Sequence, residues 1–337
     1  MKQVWITKTG GPEVLQVREA PDPEAKPGQI RIRVKASGVN FADLMARLGL
    51  YPDAPKLPAV VGYEVAGVVD QAGGGSPFKI GDRVGAITQF GGYSDTVVAP
   101  EGFVFPLPAK LSFEEAAAIP VNYLTAWLML VEQGNVKKGD RVLVHAAAGG
   151  VGQAALQICK WRGAEVIGTA SKGKHERLKS LGVDHCIDYH SQDFETEAKR
   201  LTGGRGVTIV LDAVGGASYR KSYRCLAPLG KLMMFGASSF STGEKRNLLS
   251  VAKGFFQMPA FRPIPLMNQN RGVMGFNLGH LWGAKDLLKR STADILGLVA
   301  SGDFKPLVDK TFPLEKAGEA HAYIHAHKNF GKVLLTP

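Results

Sequence analysis

Cysteine is scarce in this chain. There are three in 337 residues, Cys159, Cys186 and Cys225, far apart and with no CxxC pair. That excludes a disulfide scaffold and argues against a thiolate zinc site. No apolar run reaches the ~18 residues that a membrane span requires. The opening MKQVWITKTGG turns polar and glycine-rich too early for the apolar core of a secretory signal, so a cytoplasmic protein is expected. Internal repeats and low-complexity stretches are missing. Acidic residues are outnumbered, 30 against 41 lysines and arginines, for a net charge of +11. Such a balance can serve nucleic acid, an anionic surface or a phosphorylated ligand. Here the excess is spread out, with no long basic block and no basic-aromatic stacking motif, which argues against nucleic acid. What the chain does have is glycine, 41 residues clustered where a backbone must turn tightly or approach a ligand.

Length predicts about two domains at the usual ~100–200 residues each. Residues 1–110 read as β. Gln29–Val34 alternates polar and apolar side chains after a Pro27-Gly28 turn, and Val60–Val69 is a β-branched run broken by Gly62 and Gly67. Short strands punctuated by glycine and proline suggest a small barrel or sandwich. The pattern changes at Ser112-Phe113-Glu114-Glu115, a capping box. A helix is expected from there to about Ile119, ended by Pro120, with another across Tyr123–Glu132. Strands at Arg141–Ala146, Glu165–Ala170, Val207–Asp212 and Lys231–Phe235 then alternate with helical segments at Gln153–Trp161 and Ser218–Leu226. That alternation predicts a doubly wound parallel sheet. Residues 240–272 form a long connection, basic at Lys245-Arg246 and apolar through Phe255, Phe256, Met258, Phe261 and Leu266. A strand at Val273–Asn277, helices at Lys285–Val299 and Leu314–Ala326, and a last strand at Lys332–Leu335 complete the reading.

Between a strand and a helix stands Ala146-Ala147-Ala148-Gly149-Gly150-Val151-Gly152. A glycine-rich turn there lets backbone N–H groups approach a pyrophosphate at the positive helix end, which points to Ala148, Gly149, Gly150, Val151 and Gly152 as cofactor contacts. Sites for NAD place an acid ~20 residues on, at the end of the second strand. This chain has Ser171-Lys172-Gly173-Lys174 instead. Ser171 and Lys174 suit a 2′-phosphate, so NADPH is favoured; the lysines also read as solvated turn residues.

At this point the sequence resembles the zinc-independent quinone oxidoreductase branch of the medium-chain dehydrogenase/reductase superfamily. The matching motifs are Gly38-Val39-Asn40-Phe41-Ala42-Asp43, Gly49-Leu50-Tyr51-Pro52, Gly81-Asp82-Arg83-Val84, the 146–152 loop and Asp188-Tyr189. Within that branch, Ile187–His190, Lys245-Arg246-Asn247-Leu248, Gly275–Gly279 and Lys328–Leu335 look like the vesicle amine transport protein homologues. The resemblance spans essentially the whole chain. It implies a GroES-like β-rich catalytic domain from residues 1–122 and 279–337, with a Rossmann NADPH-binding domain inserted at 123–278. Zinc enzymes of the superfamily carry Gly-His-Glu where this chain has Gly62-Tyr63-Glu64, and neither their first cysteine ligand nor their four-cysteine lobe is present, so no metal is expected. His321 and His325 are spaced i, i+4 but read, with His327, as a solvated helix face.

The resemblance places Asn40 and Tyr51 near the nicotinamide. Asn40 could donate to the substrate oxygen or hold the cofactor's carboxamide, and Tyr51 could give a hydrogen bond or a proton. Asp43 joins them as a catalytic candidate, although Asn40 and Asp43 also read as a helix cap and Tyr51 as a packed turn aromatic. Cofactor contacts carried over are Asn122 and Thr125 at the domain junction, Tyr189 beside the adenosine phosphate, and Val214, Phe235, Gly236 and Ser238 over the ribose. Phe276, Asn277, Leu278, Asn329 and Lys332 close the other side. The implied activity is hydride transfer to a quinone or an α,β-unsaturated carbonyl compound in a homodimer paired through Val273–Asn277. The competing reading is a cofactor-binding protein at a vesicle or membrane surface with little or no catalysis. In it, 240–272 touches lipid rather than forming a lid or a dimer contact.

Overall fold

The computed structural model describes residues 1–241 and 243–337, and of residue 248 the backbone alone. The chain divides into two units. One holds Met1–Leu124, Gly243–Arg246 and Leu278–Pro337, the other Thr125–Thr242 and Asn247–Asn277.

In the first unit, the alternation at Gln29–Val34 becomes the start of a long strand, Gln29–Val39, whose Ile30, Ile32 and Val34 turn into the core. At ~1.5–3 kcal/mol for each such side chain removed from water, this alternation fixes which face is buried. The strand is central to a seven-stranded sheet ordered Val308–Pro313, Lys332–Thr336, Gln29–Val39, Glu64–Ala72, Arg83–Ile87 and Val104–Pro106, with Thr96–Pro100 also pairing the central strand. Both chain ends therefore build one sheet, Val333 lying opposite Val39 and Leu335 opposite Ser37. A three-stranded sheet of Leu15–Glu19, Lys2–Ile6 and Ala59–Val60 accompanies it. Ser112 and Glu115 close the expected capping box at 3.1 and 3.0 Å, but the helix stops at Ala117. Pro120 opens the next helix, Pro120–Trp127, rather than ending the last one. Proline suits a first helical position, whose N–H would be unpaired in any case.

The histidines correct the sequence reading. His321 and His325 lie on the inward face of the helix Ala317–His325 and are buried; His327, past the helix end, is exposed. The i, i+4 spacing put them on one face, and that face packs on Val14, Tyr93 and Phe312 rather than meeting water.

In the second unit six parallel strands run in the order His185–Asp188, Glu165–Ala170, Arg141–Val144, Val207–Asp212, Leu226–Met234, Gly272–Gly275. The first crossover departs from the middle of the sheet, which makes a topological switch point there. Leu143, Ile167, Ile187, Val210 and Leu232 form its core. The connection 240–272, of which residue 242 lies outside the described residues, is not irregular. It contains helices Leu248–Phe256 and Pro263–Gln269, the first capped by Asn247, whose side-chain oxygen accepts from Leu249 and Ser250 N–H. Met258 and Phe261 pack on the sheet, while Leu249, Phe255, Phe256, Ile264 and Met267 are exposed.

Candidate active site

In the second unit, the cofactor candidates follow from the parallel sheet. Its strands all end on one side, and the loops leaving them carry Ala148–Gly152, Ser171 and Lys174, Tyr189, Val214, Phe235 to Ser238, and Phe276. The first turn is tight: Ala146 has a φ of 51° and the helix Gly150–Arg162 starts at Gly149 with no side-chain cap. Its first N–H groups are thus not taken up by a side-chain cap. Glycine is required at 152, because a Cβ there would stand 2.5 Å from the Ala146 carbonyl oxygen and 2.6 Å from that of Ala147. Both are backbone atoms and cannot swing away. At the end of the neighbouring strand, the turn Ser171–Lys174 closes through Lys174 N–H on the Ser171 carbonyl at 2.9 Å, with Lys172 exposed beside it.

Asp212 organises the next loop. Its Oδ1 accepts from Val214 and Gly215 N–H at 2.8 and 3.2 Å, and its Oδ2 from the Ser218 and Ser222 hydroxyls, each at 2.7 Å. His145 pairs with Ser222 at 3.0 Å and Thr169 at 3.2 Å, and burial holds its imidazole below the usual range. These residues fix where Val214 sits. Phe235 and Ser238 are set by backbone bonds to Asp212 and Ala213, and the Tyr219 hydroxyl holds the Gly236 carbonyl.

The first unit holds Asn40, Asp43, Tyr51, Asn122, Leu278, Asn329 and Lys332; Thr125 belongs to the second. Asn40, Glu64 and Lys332 form a buried cluster. Asn40 Nδ2 donates to Glu64 Oε1 at 2.9 Å, Lys332 Nζ donates to Asn40 Oδ1 at 2.7 Å and to Glu64, and Glu64 Oε2 accepts from Val121 N–H at 2.7 Å. Gly38 makes room, since a Cβ there would lie 2.4 Å from Glu64 Oε1. The Asn40 amide is therefore held by partners of its own unit. Asn122 donates to the Ala118 carbonyl at 3.2 Å and Asn329 to that of Gly331 at 3.2 Å.

Asp43 is fully buried. It accepts from Asn40 N–H at 2.8 Å, the Tyr93 hydroxyl at 3.0 Å and Gly62 N–H at 3.1 Å. Burial pushes its carboxyl up to about 7, a rise partly offset by those donors and by Lys332. The Tyr93 hydroxyl also meets His321 Nε2 at 3.0 Å. Burial and the nearby Arg47 hold that imidazole well below its usual range, so it is neutral at neutral pH. Arg47 itself donates to the carbonyls of Gly10 and Glu244, which ties Gly243–Arg246 to this unit. Tyr51 is half-buried and edge-on to Tyr63, with ring centroids 6.3 Å apart.

Sequence reasoning singled out Asn40, Asp43 and Lys332 but not the partners that hold them. Glu64 lies 268 positions from Lys332, and Tyr93 lies 228 from His321. No local pattern encodes those pairings. The donor set does not fit zinc: Tyr63 replaces an imidazole, and the Glu64 charge is already matched by an ammonium. Among the described residues, no group of three or more His, Cys, Asp or Glu could hold a metal ion.

Two family descriptions match the chain: "Alcohol dehydrogenase GroES-like domain" over residues 26–109 and "Zinc-binding dehydrogenase" over 181–335. The chain is 45% identical over 325 residues to the synaptic vesicle membrane protein VAT-1 homolog of Rattus norvegicus, covering 96% of this chain and 80% of that one. It is 35% identical over 340 residues to a quinone oxidoreductase of Pseudomonas aeruginosa, covering 100% and 99%. Among solved structures, Escherichia coli quinone oxidoreductase complexed with NADPH superposes with a TM-score of 0.88 at 32% identity, covering all of both chains.

Proposed function

Because this chain belongs to the medium-chain dehydrogenase/reductase superfamily, we propose that it is an NADPH-dependent reductase of quinones or other α,β-unsaturated carbonyl compounds that works without zinc. The observation that carries the cofactor reading is the pair of loops at the strand ends of the second unit. The 149–152 turn offers uncapped helix N–H groups, and the adjoining strand ends in Ser171 and Lys174 with no carboxylate at that position. The first suits a pyrophosphate and the second a 2′-phosphate. Solved relatives complexed with NADPH support the same cofactor.

When bound, the reduced nicotinamide supplies a hydride to the conjugated acceptor. The chain's own part is electrostatic. Negative charge grows on the acceptor oxygen, and a preorganised donor near it lowers the barrier. We assign that donor to Tyr51. Asn40 and Asp43 act behind it. Asn40 is locked by Glu64 and Lys332, and Asp43 clamps the start of the helix Phe41–Arg47 and the Gly62 turn. The Asp212 network holds Val214 for the cofactor. Phe276 and Leu278, with Asn122, Thr125, Tyr189, Asn329 and Lys332, complete the proposed contacts. An acceptor screen of quinones, enals, enones and enoyl thioesters, following NADPH oxidation, tests the assignment. Silence across all four classes would overturn it.

We further propose a cytoplasmic homodimer. Among the described residues, Gly272–Gly275 pairs on one side only, with Leu226–Met234, and such an apolar edge invites a second copy. Light scattering at micromolar concentration should give twice the chain mass; a monomer mass would refute it. One observation favours a second reading, a cofactor-binding protein at a membrane surface: the exposed Leu249, Phe255, Phe256, Ile264 and Met267 on the helices of 248–269. No helix among the described residues is long and apolar enough to cross a membrane. Flotation with liposomes beside the acceptor screen separates the two readings.

A further inference from the structure

Tyr63 is the odd residue of the first unit. It is 7% exposed, yet its hydroxyl is buried and makes no hydrogen bond. Buried hydroxyls are ordinarily paired. Tyr93, buried in the same unit, follows that rule by donating to Asp43, whose two oxygens are already taken by three donors. The Tyr51 hydroxyl lies close enough to influence Tyr63 electrostatically, but not in hydrogen-bonding geometry. Around the Tyr63 ring stand two others. Tyr51 is edge-on at 6.3 Å between centroids, and Phe90 is tilted at 5.2 Å. Both are only half-buried and sit on irregular segments, so this aromatic cluster reaches the surface. Burial, with the nearby Asp43, raises the Tyr63 phenol far above its usual range, so it stays protonated and can only benefit from an acceptor.

We propose that Tyr63 is a substrate-binding residue whose hydroxyl donates to a carbonyl oxygen of a planar ring-fused quinone packed against Tyr51 and Phe90. The inference rests on the reductase reading and narrows its acceptor to quinones with an aromatic ring. Ring faces and edges reward a flat conjugated acceptor, whereas a small saturated ketone gains only the hydrogen bond. Because the Tyr63 hydroxyl is buried, admitting the ring requires the half-buried Tyr51 and Phe90 side chains to shift while staying against it.

The test is calorimetric titration of the whole cofactor-free chain with 2,3-dimethyl-1,4-naphthoquinone, whose substituted carbons resist thiol addition, and with cyclohexanone. The wild type should bind the quinone at least about tenfold more tightly than the ketone. Tyr63→Phe should weaken quinone binding about tenfold, the worth of one net hydrogen bond, with a melting temperature equal to or above the wild type. Phe90→Leu should weaken the quinone and leave the ketone unchanged. Equal quinone affinity in wild type and Tyr63→Phe would overturn the proposal, as would no quinone binding by the wild type. A lower melting temperature for Tyr63→Phe would do the same, since it would give the hydroxyl a structural partner. Because no NADPH is present, these outcomes are independent of turnover. Failure of every acceptor to oxidise NADPH would instead count against the reductase reading.

Discussion

Replacing Lys332 by Met removes one charge from a pair that water does not reach. The Lys332 and Glu64 side chains are 2% and 0% exposed. After the substitution Glu64 keeps two neutral donors, Asn40 Nδ2 and Val121 N–H, but no cation. Stranding a buried carboxylate in this way typically costs ~3–5 kcal/mol. For a unit of this size each kcal/mol moves the midpoint by ~2–4 °C, so a fall of about 6–20 °C is expected. The double variant Glu64→Gln/Lys332→Met removes both charges and should recover most of the loss, because a neutral replacement of a buried pair is often nearly neutral in stability. Urea melts of the wild type, Lys332→Met, Glu64→Gln and the double variant form a double-mutant cycle. Trp5 and Trp282 report on the first unit and Trp127 and Trp161 on the second, which localises the effect. A single variant within about 1 kcal/mol of wild type, or strictly additive losses, would refute the reasoning.

Lys174→Ala should weaken NADPH about tenfold or more and leave NADH almost unchanged, since one charge-assisted phosphate contact contributes ~1.5–3 kcal/mol; equal losses for both cofactors, by fluorescence titration, would remove the 2′-phosphate assignment. Asp43 carries a pH signature, because its carboxyl is raised from 3.8 to about 7. A group that binds its proton more tightly when folded contributes stability below 3.8 that is lost as pH rises through that window, about 4 kcal/mol in all by linkage. Stability measured against pH for Asp43→Asn should lack this descent; parallel curves would disprove it. Tyr51→Phe should lower kcat by about 10²-fold on the preferred acceptor with melting and NADPH affinity unchanged, and an unaltered kcat would return Tyr51 to the role of a packed turn residue.

The fold was legible where physics is local. Period-two burial announced Gln29–Val39, the serine–glutamate spacing announced the helix cap at 112, and alternating strands and helices announced the parallel sheet. The glycine-rich turn at 149–152 was legible because glycine at 152 answers a local steric demand. The Glu64–Lys332 and Tyr93–His321 pairings were not legible, since they join positions more than two hundred residues apart. His321 was misjudged because helical spacing says which residues share a face but not what that face meets. Pro120 was misjudged because proline can start a helix as readily as stop one.

The most direct measurement of the central claim is NADPH oxidation by the purified chain in the presence of a naphthoquinone, with the hydroquinone product quantified beside it. One hydroquinone should appear for each NADPH consumed, NADH should support a much lower rate at the same concentration, and Lys174→Ala should narrow that difference. Tight NADPH binding with no acceptor-dependent oxidation would contradict the account and leave a cofactor-binding protein without reductase activity.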